Sequence, residues 1–253
     1  MLAASTVTRR DAVRVAGPAS RPTLPPPPVP AIVASTTQFL GDLHEFLTGA
    51  PEPQPAPTPA DATATPYGDI GKWMLGRNGQ LADWPSHPFK TLYQPINVII
   101  VDSTSTTAAE SAAKVNAALT AAGFPAQPIH STGYQGLIDG AVYGQQPTGP
   151  QQAFSNAHWL LPNDHGRVFG PAPAPDGAGY VWTASFSREA AGLYCLTPTH
   201  VYVSFDRARA RVRAGLLATG ATDLGVVDLH NTLSGPTLTT GDHDGYAVVI
   251  SLR

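Results

Sequence analysis

Half of the 26 prolines in this 253-residue chain precede Tyr67, and that uneven distribution limits where a core can form. Proline has no amide hydrogen to donate and restricts the residue before it, so proline-dense segments build neither helix interiors nor central strands. Pro18 to Pro30 (PASRPTLPPPPVP) and Glu52 to Pro66 (EPQPAPTPADATATP) are therefore expected as polyproline-II-like spacers. Between them Phe39, Leu40, Leu43, Phe46 and Leu47 recur at helical spacing, with Ser35 to Thr37 as candidate caps and Gly49 as a stop, which predicts a short amphipathic helix near 37–47. The expected organisation is a Pro-rich disordered tail over 1–66 and one globular domain over 67–253.

Charged residues make up 13% of the chain, well below the roughly 25% of ordinary soluble proteins. A formal net charge of −3 gives nucleic acid or an anionic membrane no electrostatic reason to bind, so no nucleic acid partner is expected. The single cysteine, Cys195, excludes an intrachain disulfide and any multi-cysteine zinc site; its apolar neighbours Leu193, Tyr194 and Leu196 predict an inert buried thiol. No run approaches the ~20 apolar residues of a membrane helix, and no transmembrane segment is expected. Arg9-Arg10 has the form of a twin-arginine export signal, but Asp11, Arg14 and Pro18 interrupt the apolar stretch that should follow, so any export signal is expected upstream of this sequence.

The segment from Gly68 to Phe89 is turn-rich and predicts a short helix followed by a β-turn at Arg77 to Gly79. Pro95 to Val101 (PINVIIV) is a continuous β-branched run suited to a strand buried on both faces. A helix should follow at once, because Thr107 and Glu110 form the capping-box pattern, Ala108, Ala112, Val115, Leu119 and Ala122 share a face, and Gly123 stands at its end. A second strand–helix–strand run is read from His200 to Leu229, with Asp206 as the helix cap, Ala208, Val212, Gly215 and Leu216 inward, and Arg207, Arg209, Arg211 and Arg213 on a solvated exterior. The expected class is α+β: an antiparallel or mixed sheet with two main helices on one face, in a ferredoxin-like or related duplicated β-α-β arrangement.

A nucleophile elbow, a phosphate-binding glycine loop, a dinucleotide fingerprint and the HExxH zinc pattern are all missing from the sequence. What remains is a set of histidines and aspartates at predicted strand ends. His200, Asp242, His243 and Asp244 are the candidates for general acid–base catalysis, and Asp164, His165 and His230 for binding. No spacing among them is a metal signature, so no metal and no cofactor is expected. Glycines on both sides of DHD point equally to a tight exposed turn, Gly241 to Gly245, with Asp242 or Asp244 accepting backbone amides and His243 facing solvent.

The succession PINVIIV, a helix ending AAGFP, QPIHSTGYQGLIDGAVYGQQPTG, LLPNDHGRVFGPAP, YVWTASFSRE, THVYVSFDRARARVRAGLLATGA and TTGDHDGYAVVI resembles the C-terminal domain of exported actinobacterial, especially mycobacterial, cell-envelope proteins. It is more distantly similar to the LssY C-terminal-like domain. The resemblance covers roughly residues 67–253 and carries no catalytic residues over. Where the wider family has a second histidine after the Thr-His pair, this chain has Val201. The resemblance implies an exported, envelope-associated binding domain whose partner is an envelope lipid, glycan or protein; the alternative is a hydrolase of a phosphoester or envelope lipid.

Overall fold

The computed structural model describes residues 54–84, 87–149, 152–194 and 197–253, together with Leu40, Leu43, His44 and Leu47. Those four isolated positions are helical, while the rest of the helix expected near 37–47, the first proline spacer and Cys195 lie outside the described residues. In chain order the elements are β1 (Ala62–Thr65), β2 (Gly68–Gly71), β3 (Thr91–Leu92), β4 (Val98–Asp102), α1 (Ala108–Ala121), β5 (Ala126–Gln127), β6 (Gln135–Ile138) and β7 (Ala141–Gln146). They continue with β8 (Ala153–Ser155), β9 (Asn163–Pro173), β10 (Tyr180–Tyr194), β11 (Thr197–Ser204), α2 (Phe205–Ala218), β12 (Thr222–Asp228), β13 (Leu238–Thr239) and β14 (Tyr246–Leu252).

The β-branched run does form a central strand. β4 lies between β10, antiparallel, and β14, parallel, so both edges are paired, and every residue of it except the half-buried Val101 is buried. The main sheet runs β1-β2-β6-β7-β9-β10-β4-β14-β12. One face packs on both helices: Val98, Ile100, Trp182, Ala184, Val248 and Ile250 meet Val115 and Leu119 of α1 and Val212 and Leu216 of α2. Trp182 is fully buried there and donates its indole N–H to Ser111 Oγ at 2.9 Å, satisfying its one polar atom. On the other face Ile99, Val181 and Val249 pack with Ile70 and Ile138 from the opposite end of the sheet, so the sheet curls upon itself. Thr63 Oγ1 donates to Leu229 O at 2.7 Å, and Asn231 Nδ2 donates to Lys72 O at 3.0 Å, linking the two ends. The result is an α+β protein with a nearly closed barrel carrying two helices outside.

It is not ferredoxin-like. After α1 the chain enters β5, which is separated from β4 by β10, β9 and β8 rather than lying near it. After α2 the chain enters β12, which pairs antiparallel with β14 and so runs opposite to β11. Only one of the two strand–helix–strand runs is thus a parallel crossover. The capping box at Thr107 and Glu110 is present, but α2 is capped by Ser204, whose hydroxyl accepts Arg207 N, and Asp206 sits one position inside the first turn. The short helix expected around Gly68 to Leu75 is instead strand β2 and an irregular extension of it. The second proline spacer is also partly built in: Gln54 Oε1 accepts Ser234 N at 2.8 Å, and Ala62–Thr65 pair with β2, so the folded domain begins before Tyr67. Proline falls at the ends of β1 and not within it.

β10 has one edge shared by two collinear strands, β4 against Tyr180–Ala184 and β11 against Arg188–Tyr194. Phe186 falls in the gap between them. Its carbonyl accepts Asn97 Nδ2 at 2.8 Å and its amide donates to Asn97 Oδ1 at 3.0 Å, so a side-chain amide supplies the missing rung. Asn97→Ala leaves two buried backbone groups without partners, each worth about 1–3 kcal/mol, and denaturant unfolding should show a loss of about 2–4 kcal/mol. Deleting residues through Pro66 should likewise lower the melting temperature measurably, whereas deletion through Pro30 should not, because only the former removes β1.

Candidate functional site

Alternation along β9 and β10 builds the site. Phe169 and Val181 belong to the core on the face away from the helices, and the same face continues through Arg167 and His165 on β9 and through Thr183, Ser185, Ser187 and Glu189 on β10. All of these are buried. The sheet face therefore changes from apolar to polar part-way along its strands, and the polar end is covered by loops instead of by a second apolar layer. A cleft of about 390 Å³ lies there, lined by His130, Ser131 and Tyr134 from the β5–β6 loop, Trp159 from the β8–β9 loop, His165, Arg167, Glu189 and His200 from the sheet, and Asp83 and Trp84 at the rim. A register shift between Arg188 and Glu189 marks a bulge beside it, a device that re-aims side chains at a sheet edge.

Glu189 is the centre of this arrangement. Its Oε1 accepts His165 Nε2 at 2.9 Å, and its Oε2 bonds His200 Nδ1. Burial alone would raise its pKa, but the charges and hydrogen bonds of His165 and His200 outweigh burial and hold the carboxyl well below the usual range. The same hydrogen bond raises the pKa of His200 against the opposing effect of burial, with the Glu189 charge and the Trp159 backbone assisting. The His200 ring also lies 5.7 Å from that of Trp159. In its neutral form, with Nε2–H donated to the carboxylate, His165 would carry its lone pair on Nδ1, a buried atom with no hydrogen-bond partner among the described residues.

His130 stands 5.2 Å from His165, ring centroid to ring centroid. Its Nδ1 bonds Pro128 O at 3.0 Å and its Nε2 is buried without a partner among the described residues. Burial, reinforced by His165 and Arg167, lowers its pKa to about 4, so it is neutral at pH 7. Arg167 is 4% exposed, stacks on Tyr134 with 4.6 Å from guanidinium carbon to ring centroid, and donates to Ser131 O and Oγ at 3.2 Å. Among the described residues it has no carboxylate ion pair, and a buried guanidinium held only by neutral acceptors presents a site for an anion. Ile129, next to His130, takes φ 65, a conformation a β-branched residue adopts only under constraint, and such constraint clusters at binding sites.

Of the residues singled out in the sequence, the structure brings His165 and His200 together in the cleft, places His243 and Asp244 together elsewhere beside Asp206, and separates Asp164 and His230 from both groups. Asp164, adjacent to His165, points to the opposite side of β9 and is buried in an ion-pair cluster with Arg188 at 3.0 Å and Arg211 at 3.1 Å. His230 is exposed at φ 51 beside Asp228. Asp242 accepts Tyr202 Oη, Ser204 Oγ and Phe205 N, fastening the last loop to the start of α2. Asp244 receives the fork of Arg209 and the amide of Tyr246. His243 does not face solvent: it is 2% exposed, with Nε2 on Asn231 Oδ1 at 2.8 Å. Nor is the arginine series a solvated face, since Arg209 is buried and Arg211 reaches Asp164.

Sequence reasoning missed Glu189, Arg167, His130, Tyr134 and the two tryptophans. The alternating Ser185, Ser187, Glu189 and His165, Arg167 were visible as polar residues on one face of strands whose other face is apolar, a pattern that also describes a solvated face. The three pocket imidazoles do not converge on a metal. Among the described residues, the three donor groups that approach within 4.8 Å of one another are those of Asp206, His243 and Asp244. No family model, curated protein or solved structure matches this chain.

The opposed imidazoles give a pH signature. His130, depressed from 6.5 to about 4, favours the folded state above pH 6.5, and this contribution fades as pH falls toward 4. His200, raised, contributes below 6.5 and loses that contribution as pH rises through its folded value. Histidine NMR titration should find His130 protonating near pH 4 and His200 above 6.5, and Glu189→Gln should lower the His200 value.

Proposed function

We propose that the cleft binds an anionic phosphoester and hydrolyses it by general acid–base catalysis. The observation that carries this reading is the grouping, in one cleft, of a carboxylate-held imidazole and a buried arginine of which, among the described residues, the first has an unpartnered ring nitrogen and the second no carboxylate ion pair. Arg167, with Ser131 alongside, would bind non-bridging oxygens of the phosphoryl group, where the planar guanidinium matches two oxygens at once. His165 Nδ1 would accept a proton from an attacking water while Glu189, on Nε2, holds the ring and stabilises the imidazolium that forms. The same imidazolium would then return the proton to the departing alkoxide. Bond formation to phosphorus from water and cleavage of the ester bond balance without any further reactant.

The rim bears on the kind of ester. Ile129 and Trp159 line the cleft, and Leu160 and Leu161, next in the chain, are more than half exposed. Apolar side chains beside an anion site suit a phosphoester with a large apolar substituent, consistent with the envelope lipids that the sequence resemblance implies. A pure binding domain for the same class of ligand uses Arg167 and the rim in the same way but has no use for the Glu189–His165 pair.

The test separates the two. Turnover of bis-p-nitrophenyl phosphate and p-nitrophenyl phosphate, and calorimetric binding of inorganic phosphate, should be measured for the wild type, His165→Ala, Glu189→Gln and Arg167→Met. Hydrolysis that falls at least 100-fold in His165→Ala while phosphate still binds is the expected result. Phosphate binding lost in Arg167→Met with no turnover in any variant would leave the binding reading, and no phosphate binding by the wild type would remove both.

A further inference from the structure

We propose that Asp206, His243 and Asp244 form a site for one divalent metal ion of borderline hardness, of the zinc or manganese class, separate from the cleft. One donor atom of each residue lies within 4.8 Å of the other two. A buried imidazole sets this group apart from an ordinary acidic cluster. The His243 side chain is fully buried, and its ring orientation is set by a chain of hydrogen bonds that allows one answer. Asn231 Nδ2 donates to Lys72 O at 3.0 Å and to Ile96 O at 2.9 Å, so its amide cannot be turned around. Asn231 Oδ1 must then face His243, and at 2.8 Å it requires a hydrogen on Nε2.

In the neutral ring the lone pair then falls on Nδ1, a buried atom with no hydrogen-bond partner among the described residues, which points into the carboxylates 3.8 Å from Asp206 Oδ1. At that separation the two atoms attract only through a cation, either a proton on Nδ1 or a metal ion between them. The distance is too long for a hydrogen bond but close to the roughly 3.3 Å between neighbouring ligands of a tetrahedral ion with bonds of about 2.0–2.1 Å. An imidazole whose other nitrogen is tied to a protein oxygen is the usual form of a metal-binding histidine.

Charge points the same way. Arg209 forks onto both oxygens of Asp244 and lies 3.1 Å from Asp206 Oδ1, yet Asp206 Oδ1 has no hydrogen bond among the described residues. With Asp242 also present, three carboxylates face one guanidinium, an excess of two negative charges. A divalent ion matches that excess, and one imidazole with two carboxylates is a donor set for zinc or manganese more than for magnesium or calcium, which take six or more oxygens. The Asp206 and Asp244 side chains are 26% and 38% exposed, leaving an entry path and room for water as a fourth ligand. Bound metal would join the first turn of α2 to the last loop and stabilise the folded state by mass action.

Full-length protein stripped with EDTA should be titrated with ZnCl2 and MnCl2 by calorimetry and its metal content measured after dialysis. One equivalent, a raised melting temperature and affinity that weakens as pH falls, because protons compete for the same donors, are expected. Asp206→Asn and His243→Ala should each weaken binding at least tenfold, and Asn231→Leu, which releases the ring orientation, about 10–100-fold. The His165→Ala/His200→Ala double variant should bind as wild type does. No uptake by wild-type protein would overturn the proposal without touching the reading of the cleft, whereas uptake abolished in the double variant and unchanged in Asp206→Asn would overturn it and place the metal in the cleft instead.

Discussion

The double hydrogen bond from the Asn97 amide to the backbone of Phe186 is the joint around which this fold is organised. β10 is the longest strand among the described residues, and its edge is too long for β4 alone or β11 alone to cover. Something must satisfy Phe186 where the two meet, because the position is buried and no water can substitute. Asn97 does so with side chain while its own backbone bonds Ala184 O and Val248 N, so one residue knits three strands. The joint also creates an exit. β11 ends at Ser204, opposite Arg188, and α2 leaves the sheet there to lie across β10, with β9 and β14 to either side. Gly166 serves the same region from the other edge of β10, since a Cβ at that position would collide with the Phe186 ring.

Because β11 is collinear with β4, the β9-β10-β11 end of the sheet projects past the apolar core. Its inner face can then be polar. A carboxylate buried on such a face is costly unless paired, and a pair is costly unless every remaining lone pair is satisfied. Glu189 meets that condition with two imidazoles, one on each oxygen. Among the described residues Arg167 does not: its hydrogen bonds go to the neutral Ser131, its plane stacks on Tyr134, and Glu189 acts on it through charge without an ion pair. A fold selected for stability alone would fill this volume with packed hydrocarbon, so the polar group is a departure from the stabilising rule, the kind of inconsistency expected at functional positions.

What could be read from the sequence followed from local physics. The capping box at Thr107 and Glu110 and the β-branched run from Pro95 act through neighbours a few residues away, and both were legible. The topology was not, because strand–helix–strand patterns look alike whether the second strand returns beside the first, as ferredoxin-like folds require, or joins a distant edge, as β5 does. Pro66 ends a spacer by composition but a strand by pairing, and nothing in Ala62 to Thr65 records that β2 would lie alongside. The site divided in the same way. His165 and His200 were visible as histidines on strands; Glu189 was hidden because a glutamate after Ser-Arg reads as a solvent-facing residue until the bulge at Arg188 and the loops above it are known.

The DHD loop shows how far three adjacent residues of similar chemistry can diverge once tertiary partners are fixed. Gly241 takes φ 59, and a side chain there would strike the Tyr202 phenol, so the backbone lies directly against that ring. Asp242 then receives the phenol hydroxyl, the Ser204 hydroxyl and the Phe205 amide, and acts as a second cap for α2. Alternation turns His243 inward against Phe205 and Asn231, and Asp244 outward onto Arg209. Tyr202 is the cross-strand neighbour of Glu189 and packs edge-on to Trp84 at the cleft rim, so the loop and the cleft share one rigid support. The turn chemistry expected from Gly-Asp-His-Asp-Gly is real, but it is the outer layer of a buried polar assembly whose inner member is the histidine.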